Sequence, residues 1–194
     1  MPRDLEPQLS FLDPVRPAKL TNRLFVGVWP DAAANQEMTS VMRSLQADPA
    51  LSGRLTTPDR RHATTHHLGD FPGQIPSRLL EEACAGLATI RHAPFEMDFD
   101  RLIGVKGLLL LRPSDGAPAF SAFRRSLSAA LILAGVRFKD ERTFSPHATL
   151  SYNFSELPER AIEPIRWRVR EVLLVESLLG KHQHIVRKRW PLLG

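Results

Sequence analysis

Apolar positions along the chain fall into two kinds of block. Some are short and β-prone, and others recur every three or four residues as one face of a helix does. Residues 23–29, RLFVGVW, are of the first kind, and Met38, Met42 and Leu45 that follow are of the second, so a strand leads into a helix. A loop over residues 48–60 precedes the segment RRHATTHHLG (60–69), and the turn-rich GDFPGQIP leads to a second helix beginning near Ser77, which stands as an N-cap for RLLEEACAGLATI. FEMDFDRLI (95–103) and GLLLLR (107–112) read as two strands. In residues 117–135, Phe120, Phe123, Leu127, Ala130 and Leu131 share a helical face that stops at Gly135, a C-cap. FSPHATLSY (144–152) reads as a strand, and IRWRVREVLLVES (165–177) and HQHIVRKRWPL (182–192) as two more, joined by a turn near Gly180 and Lys181. Pro2, Pro7, Pro14 and Pro17 mark residues 1–21 as an N-terminal arm or mobile tail rather than regular structure.

The tripeptide His-Ala-Thr occurs twice, at residues 62–64 and 147–149. The offset of 85 between the copies also carries Phe25 onto Leu110, Met38 onto Phe123 and Met42 onto Leu127, so that strand falls on strand and helix face on helix face. Two diverged strand–helix–strand units, each ending in His-Ala-Thr, are the pattern of an internal duplication. Residues two apart in a strand share a face roughly 6 to 7 Å apart, so each copy presents an imidazole beside a hydroxyl, with Ala63 and Ala148 turned away. Across one cleft, two such pairs suit displacement at phosphorus: a neutral His takes a proton from the attacking oxygen, a protonated His gives one to the departing oxygen, and the hydroxyls hold phosphate oxygens.

Composition narrows the setting. At 194 residues and 43% hydrophobic the chain can bury a sizeable core, and no apolar run is long enough to span a membrane. The first residues lack the apolar stretch of a secretory signal, so a cytoplasmic protein is expected, in keeping with a single cysteine, Cys84. A formal net charge of +5, carried mostly by arginine, favours an anionic partner.

RLFVGVWPD, HATTHHLGDF, RTFSPHATLSY and WRVREVLLVESLLG…RWPL, in this order, resemble the two-histidine phosphoesterase superfamily, and in particular the bacterial RNA 2′,3′-cyclic phosphodiesterases, also called 2′-5′ RNA ligases. The resemblance covers about residues 22–193 and implies one bilobal α+β domain over residues 22–194, with two antiparallel sheets facing a central groove and helices outside. It implies that His62 and His147 are catalytic, with Thr64 and Thr149 on the substrate phosphate, His147 as base and His62 as acid. No cofactor, metal, membrane or obligatory protein partner is expected; a monomer acting on RNA ends or cyclic nucleotides is. The implied reaction opens a 2′,3′-cyclic phosphate to a 2′-phosphate. The alternatives are 2′-5′ ligation by the same site and an RNA-end binding module without turnover.

Other residues enter as candidates for substrate contact. Arg142 matches an arginine that often precedes the second motif in such proteins. His66 lines the cleft if its strand is regular, or else stands at a solvent edge. Phe25 is a further candidate, and Tyr152, Phe144 and Phe71 are candidates for stacking a base or for core. The family usually has Leu or Val where Ala63 and Ala148 stand and an aromatic at His67, and both changes are expected on the face away from the phosphate. His182 and His184 lack the accompanying Cys or carboxylate pattern of a metal site. The basic KHQHIVRKRW reads as a track for an RNA backbone or as an edge strand guarded by Lys and Arg.

Overall fold

The computed structural model describes residues 18–48, 51–139 and 144–193. Strand β1 (Asn22–Val28), helix α1 (Ala32–Gln46), the two-residue β2 (Arg54–Leu55), β3 (Ala63–Phe71), α2 (Ser77–Ala88), β4 (Phe95–Val105), β5 (Leu108–Arg112), α3 (Pro118–Leu133), β6 (Ala148–Tyr152), β7 (Leu157–Val169), β8 (Glu171–Leu178) and β9 (Gln183–Pro191) follow in order. They form an α+β fold of two antiparallel sheets, with strand orders β3-β1-β8-β9 and β2-β6-β5-β4-β7. Arg142 and residues 1–17 of the expected arm lie outside the described residues. Among the described residues no helix is long and apolar enough to cross a membrane.

The duplication is visible in the topology. β1–α1–β3 and β5–α3–β6 are equivalent units, and in each the first strand pairs antiparallel with the His-Ala-Thr strand. Their registers differ: Thr64 pairs with Gly27 but Thr149 with Leu110, so the strand equivalence runs two residues out from a uniform offset of 85 while keeping the same face. Met38 and Met42 on α1, and Phe120, Phe123, Leu127 and Leu131 on α3, are all buried, each large side chain contributing about 1.5–3 kcal/mol by leaving water. Leu24, Val26 and Val28 face this core from β1, while Phe25 packs with Leu173, Val175 and Trp29 in a small second cluster on the opposite face. That is why the whole run Leu24–Val28 is buried.

Three expectations change. Ser77 is the first helical residue of α2 with no capping bond from its side chain; the cap position is Pro76. Residues 165–177 are not one strand but the end of β7 and most of β8, split at Arg170 and belonging to different sheets. Burial alternates along the end of β7, which is open to solvent on one face, and runs unbroken through Val172–Glu176 of β8, which is covered on both. β3 also runs on to Phe71, through residues read as a turn. The basic last strand, β9, is an edge strand as one of its two readings held.

Gly86 lets α2 approach α3 closely: a Cβ there would stand 2.8 Å from the Ala130 carbonyl oxygen and 3.1 Å from the Ala134 Cβ. Alanine in an exposed helix gains about 1 kcal/mol over glycine, whereas forcing a methyl against backbone typically costs about 1–3 kcal/mol. Gly86→Ala is therefore expected to lower the urea midpoint at unchanged m-value, against the sign that helix propensity alone gives.

Candidate active site

His62 and His147 each stand immediately before their strands, and each is locked in the same way. His62 Nδ1 donates to the Arg60 carbonyl at 2.7 Å and His147 Nδ1 to the Ser145 carbonyl at 2.9 Å, in both cases two residues back. A carbonyl only accepts, so Nδ1 carries the hydrogen in both rings and Nε2 is left as the reactive atom.

One residue past each threonine the ladder slips. Thr65 has no partner in the β1–β3 register, and Leu150 none in the β5–β6 register: each His-Ala-Thr strand carries a β-bulge at the same place. The bulge advances the side-chain alternation by one. His66 is thereby turned into the interior at 2% exposure, with Nε2 2.8 Å from Ser128 Oγ of α3 and its ring edge-on to Phe138, so the expectation that it faces the cleft is corrected. Its counterpart Ser151 is likewise fully buried. His67 and Tyr152, the next residues, take the cleft face instead, which corrects the placing of His67 away from the substrate side. The repeated unit thus has three groove positions: His62, Thr64 and His67 in one copy, and His147, Thr149 and Tyr152 in the other.

A cleft of about 520 Å³ takes in Phe25, His62, Thr64 and His67 from the four-stranded sheet and Arg54 and Tyr152 from the five-stranded one. Ser145 and His147 line a shallower depression of about 180 Å³ on the five-stranded sheet, with Leu110 and Arg112. The two histidines are near enough for charge on His147 to depress the pKa of His62. Phe71 packs against the main core, and Phe144 stacks on Phe120 with its ring centroid 4.3 Å from the Arg124 guanidinium, so neither lines the cleft.

The surroundings of the two imidazoles differ. His62 stacks on Trp29 at 5.0 Å between ring centroids and leans on Phe25 at 4.9 Å, and His184 of β9 meets it edge-on at 5.1 Å. Phe25, placed by the sequence as a substrate contact, is 3% exposed and serves as a wall for His62. Burial pushes the His62 pKa down to about 4, and the Arg60 carbonyl bond only partly opposes this, while His184, Arg60 and His147 lower it further. His147 is exposed. Burial likewise brings His184 down to about 4, helped by Arg60 and opposed by Asp59. Asp70, bonded to two residues of the cleft lining, receives two bonds from Arg23 and one from His67, and the bond from Arg23 leads in holding its carboxyl down to about 2.

Trp29, Arg54, Arg60 and the pocket-facing role of His184 were not legible in the sequence as site features. Trp29 carried one signal, its i, i+4 relation to Phe25 in the β-prone run 23–29, which puts both on one face. His182 and His184 line the cleft, and among the described residues no three His, Cys, Asp or Glu side chains converge as metal ligands.

No protein-family model matches the chain, and no curated protein matches it. Solved structures do. E. coli LigT in apo form superposes with a TM-score of 0.68 at 21% identity, covering 91% of this chain and 100% of that one. A phosphoesterase gives 0.70 at 20% identity over 89% and 99%, and TT0787 of Thermus thermophilus gives 0.69 at 21% over 88% and 97%. LigT has also been crystallised with 3′-AMP, ATP, phosphate and NADP+. At these identities the likeness establishes a shared fold.

The lowered histidine pKa values have a consequence for stability. Between about pH 6.5 and pH 4 the unfolded chain binds protons at His62 and His184 that the folded protein refuses, so their contribution is complete above pH 6.5 and is lost as pH falls toward 4. Urea midpoints measured across this window are expected to fall with acidification, and His184→Gln to fall less steeply than the parent. Equal slopes for the two proteins would contradict the burial argument.

Proposed function

We propose that this chain is a two-histidine phosphoesterase that opens a 2′,3′-cyclic phosphate at an RNA or nucleotide end to a 2′-phosphate, within one bilobal domain over residues 22–194. The observation that carries the reading is the duplicated Nδ1 lock. In two copies of one motif the lock leaves Nε2 as the free ring nitrogen, and each histidine is followed two residues on by a threonine, the groups that displacement at phosphorus needs. The fold shared with LigT and a phosphoesterase, and the nucleotide and phosphate complexes of LigT, support it. One Nε2 takes the proton of the attacking water, the P–O bond to the 3′ oxygen breaks, and the other Nε2–H delivers a proton to that oxygen. The threonine hydroxyls donate to the phosphate oxygens as charge builds. Ligation runs through the same groups with a 5′-hydroxyl in the place of water, and the competition between acceptor and water in a time course separates the two activities.

Hydrolysis of 2′,3′-cyclic AMP by the purified protein, with the 2′- and 3′-monophosphate products resolved, tests the proposal. His62→Ala and His147→Ala are each expected to lower kcat roughly 10²- to 10⁴-fold with folding intact, since each removes one proton-transfer partner. Near-normal turnover by either variant contradicts the mechanism, and a folded, inactive parent protein leaves the RNA-end binding module as the reading.

The resemblance gives His147 the base and His62 the acid. The enclosure of His62 by Trp29, Phe25 and His184 favours the exchanged roles, because it keeps Nε2 unprotonated down to about pH 4 in the free protein. With His62 as base, the acid limb of kcat/KM is expected well below the ordinary histidine range, and a nitrophenolate leaving group is expected to rescue His147→Ala but not His62→Ala. Rescue of His62→Ala instead restores the roles that the resemblance assigns.

A further inference from the structure

Outside the His-Thr pairs, the cleft holds two guanidinium charges that no carboxylate among the described residues neutralises. Its lining includes Arg23, Arg54 and Arg60 and, among the described residues, no acidic side chain. Arg23 is balanced by the paired bonds to Asp70. The other two are held by neutral groups or by none. Arg54 donates to His182 Nε2 at 2.6 Å and lies over the Tyr152 ring, 5.9 Å from its centroid. Arg60 Nε is buried without a hydrogen-bond acceptor, and neither arginine has a carboxylate partner among the described residues. The local field shows on the imidazoles: Arg60 lowers the pKa of His62, His182 and His184, and Arg54 that of His182, each in addition to burial.

Position separates this cluster from the reacting phosphate. Tyr152, under Arg54, stands three residues beyond Thr149 on the same groove face, a displacement of up to roughly 10 Å along the strand. That is farther than the oxygens of a phosphate held at the His-Thr pairs extend. Arg60 lines the same cleft two residues before His62, close enough for its charge to act on that ring. A buried donor without an acceptor is costly, and a guanidinium fork matches phosphate oxygens in geometry and charge.

We infer that Arg54 and Arg60 form a second phosphate subsite, which holds the non-reacting 5′-phosphate of the nucleotide whose cyclic phosphate lies between the two histidines. The inference rests on the proposed hydrolysis for where the reacting group sits. Bound there, the 5′-phosphate accepts from Arg60 and Arg54, and Tyr152 and His182 keep the Arg54 fork in place. Substrates that carry this phosphate, free or as the link to a preceding nucleotide, are thereby selected over a bare cyclic mononucleotide.

The experiment compares adenosine 2′,3′-cyclic phosphate with and without a 5′-phosphate as substrates, and adenosine 3′,5′-bisphosphate with adenosine 3′-monophosphate as calorimetric ligands. A charge-assisted bond is worth enough that the second phosphate is expected to raise kcat/KM and affinity about tenfold or more in the parent protein. The double variant Arg54→Gln, Arg60→Gln is expected to bring both ratios close to one. Arg168→Gln, which removes one positive charge from exposed β7, is expected to leave the ratios as they are. A ratio near one in the parent, or an equal loss in the Arg168 variant, overturns the subsite. If neither cyclic substrate is turned over, the hydrolase reading falls and the calorimetric ratio still decides the subsite.

Discussion

The site depends on where the backbone carbonyls of two β-bulges find their donors. A bulge takes a carbonyl out of the ladder, and a buried carbonyl needs a partner. At the first bulge Arg124 Nε of α3 donates to the Thr65 carbonyl, and the Thr65 hydroxyl closes on Val26. At the second, Thr56 donates to the Leu150 carbonyl with its backbone N–H at 2.8 Å and its hydroxyl at 2.9 Å. Arg61, itself buried, reaches from beside His62 to the Thr56 carbonyl and to Asn35 and Thr39 of α1. The segment that leads into the first histidine is thereby tied to the bulge behind the second. Segment 56–62 bridges the two sheets through backbone carbonyls, so the histidines are held by groups that substitution of side chains around the groove leaves in place.

Duplication of the motif does not make its two halves chemically equal. The Nδ1 locks are the same, each closing on a carbonyl two residues back, and so are the bulges, each formed in pairing with the first strand of its own unit. What differs comes from the neighbours: Trp29, Phe25 and His184 enclose His62, whereas His147 stands in the open. An acid and a base are needed at one phosphate, and proteins divide such roles by giving like groups unlike environments. Here the division is made by β1 and β9, strands that belong to the four-stranded sheet alone.

The charges in the groove are sorted in a related way. On the His67 side, Asp70 neutralises Arg23 and accepts from His67. On the Tyr152 side Arg54 meets the His182 imidazole and the Tyr152 ring, and neither Arg54 nor Arg60 has a carboxylate partner among the described residues. A cleft of this kind attracts anions, with Arg54 exposed and Arg60 half-buried.

Much of this protein is local in origin and could be read along the chain. The helix faces of Met38 and Phe123, the paired strand–helix–strand units and the two His-x-Thr faces follow from periodicities of 3.6 and 2, which a linear pattern carries. Those periodicities fail where geometry departs from the regular strand. Period-two counting put His66 in the cleft and His67 outside it, and one unpaired residue at Thr65 reverses both. The bulge is a property of pairing with β1, and nothing in HATTHH alone declares it. The division of residues 165–177 between two sheets is likewise settled by which strands lie alongside, β4 for one part and β1 for the other. His184 and Arg60 reach His62 only because β9 and the segment before β3 fold back on the groove. Burial, the sharing of charge and the proton state of His62 are set by those neighbours, brought together from separate parts of the chain, and only the tertiary structure decides them.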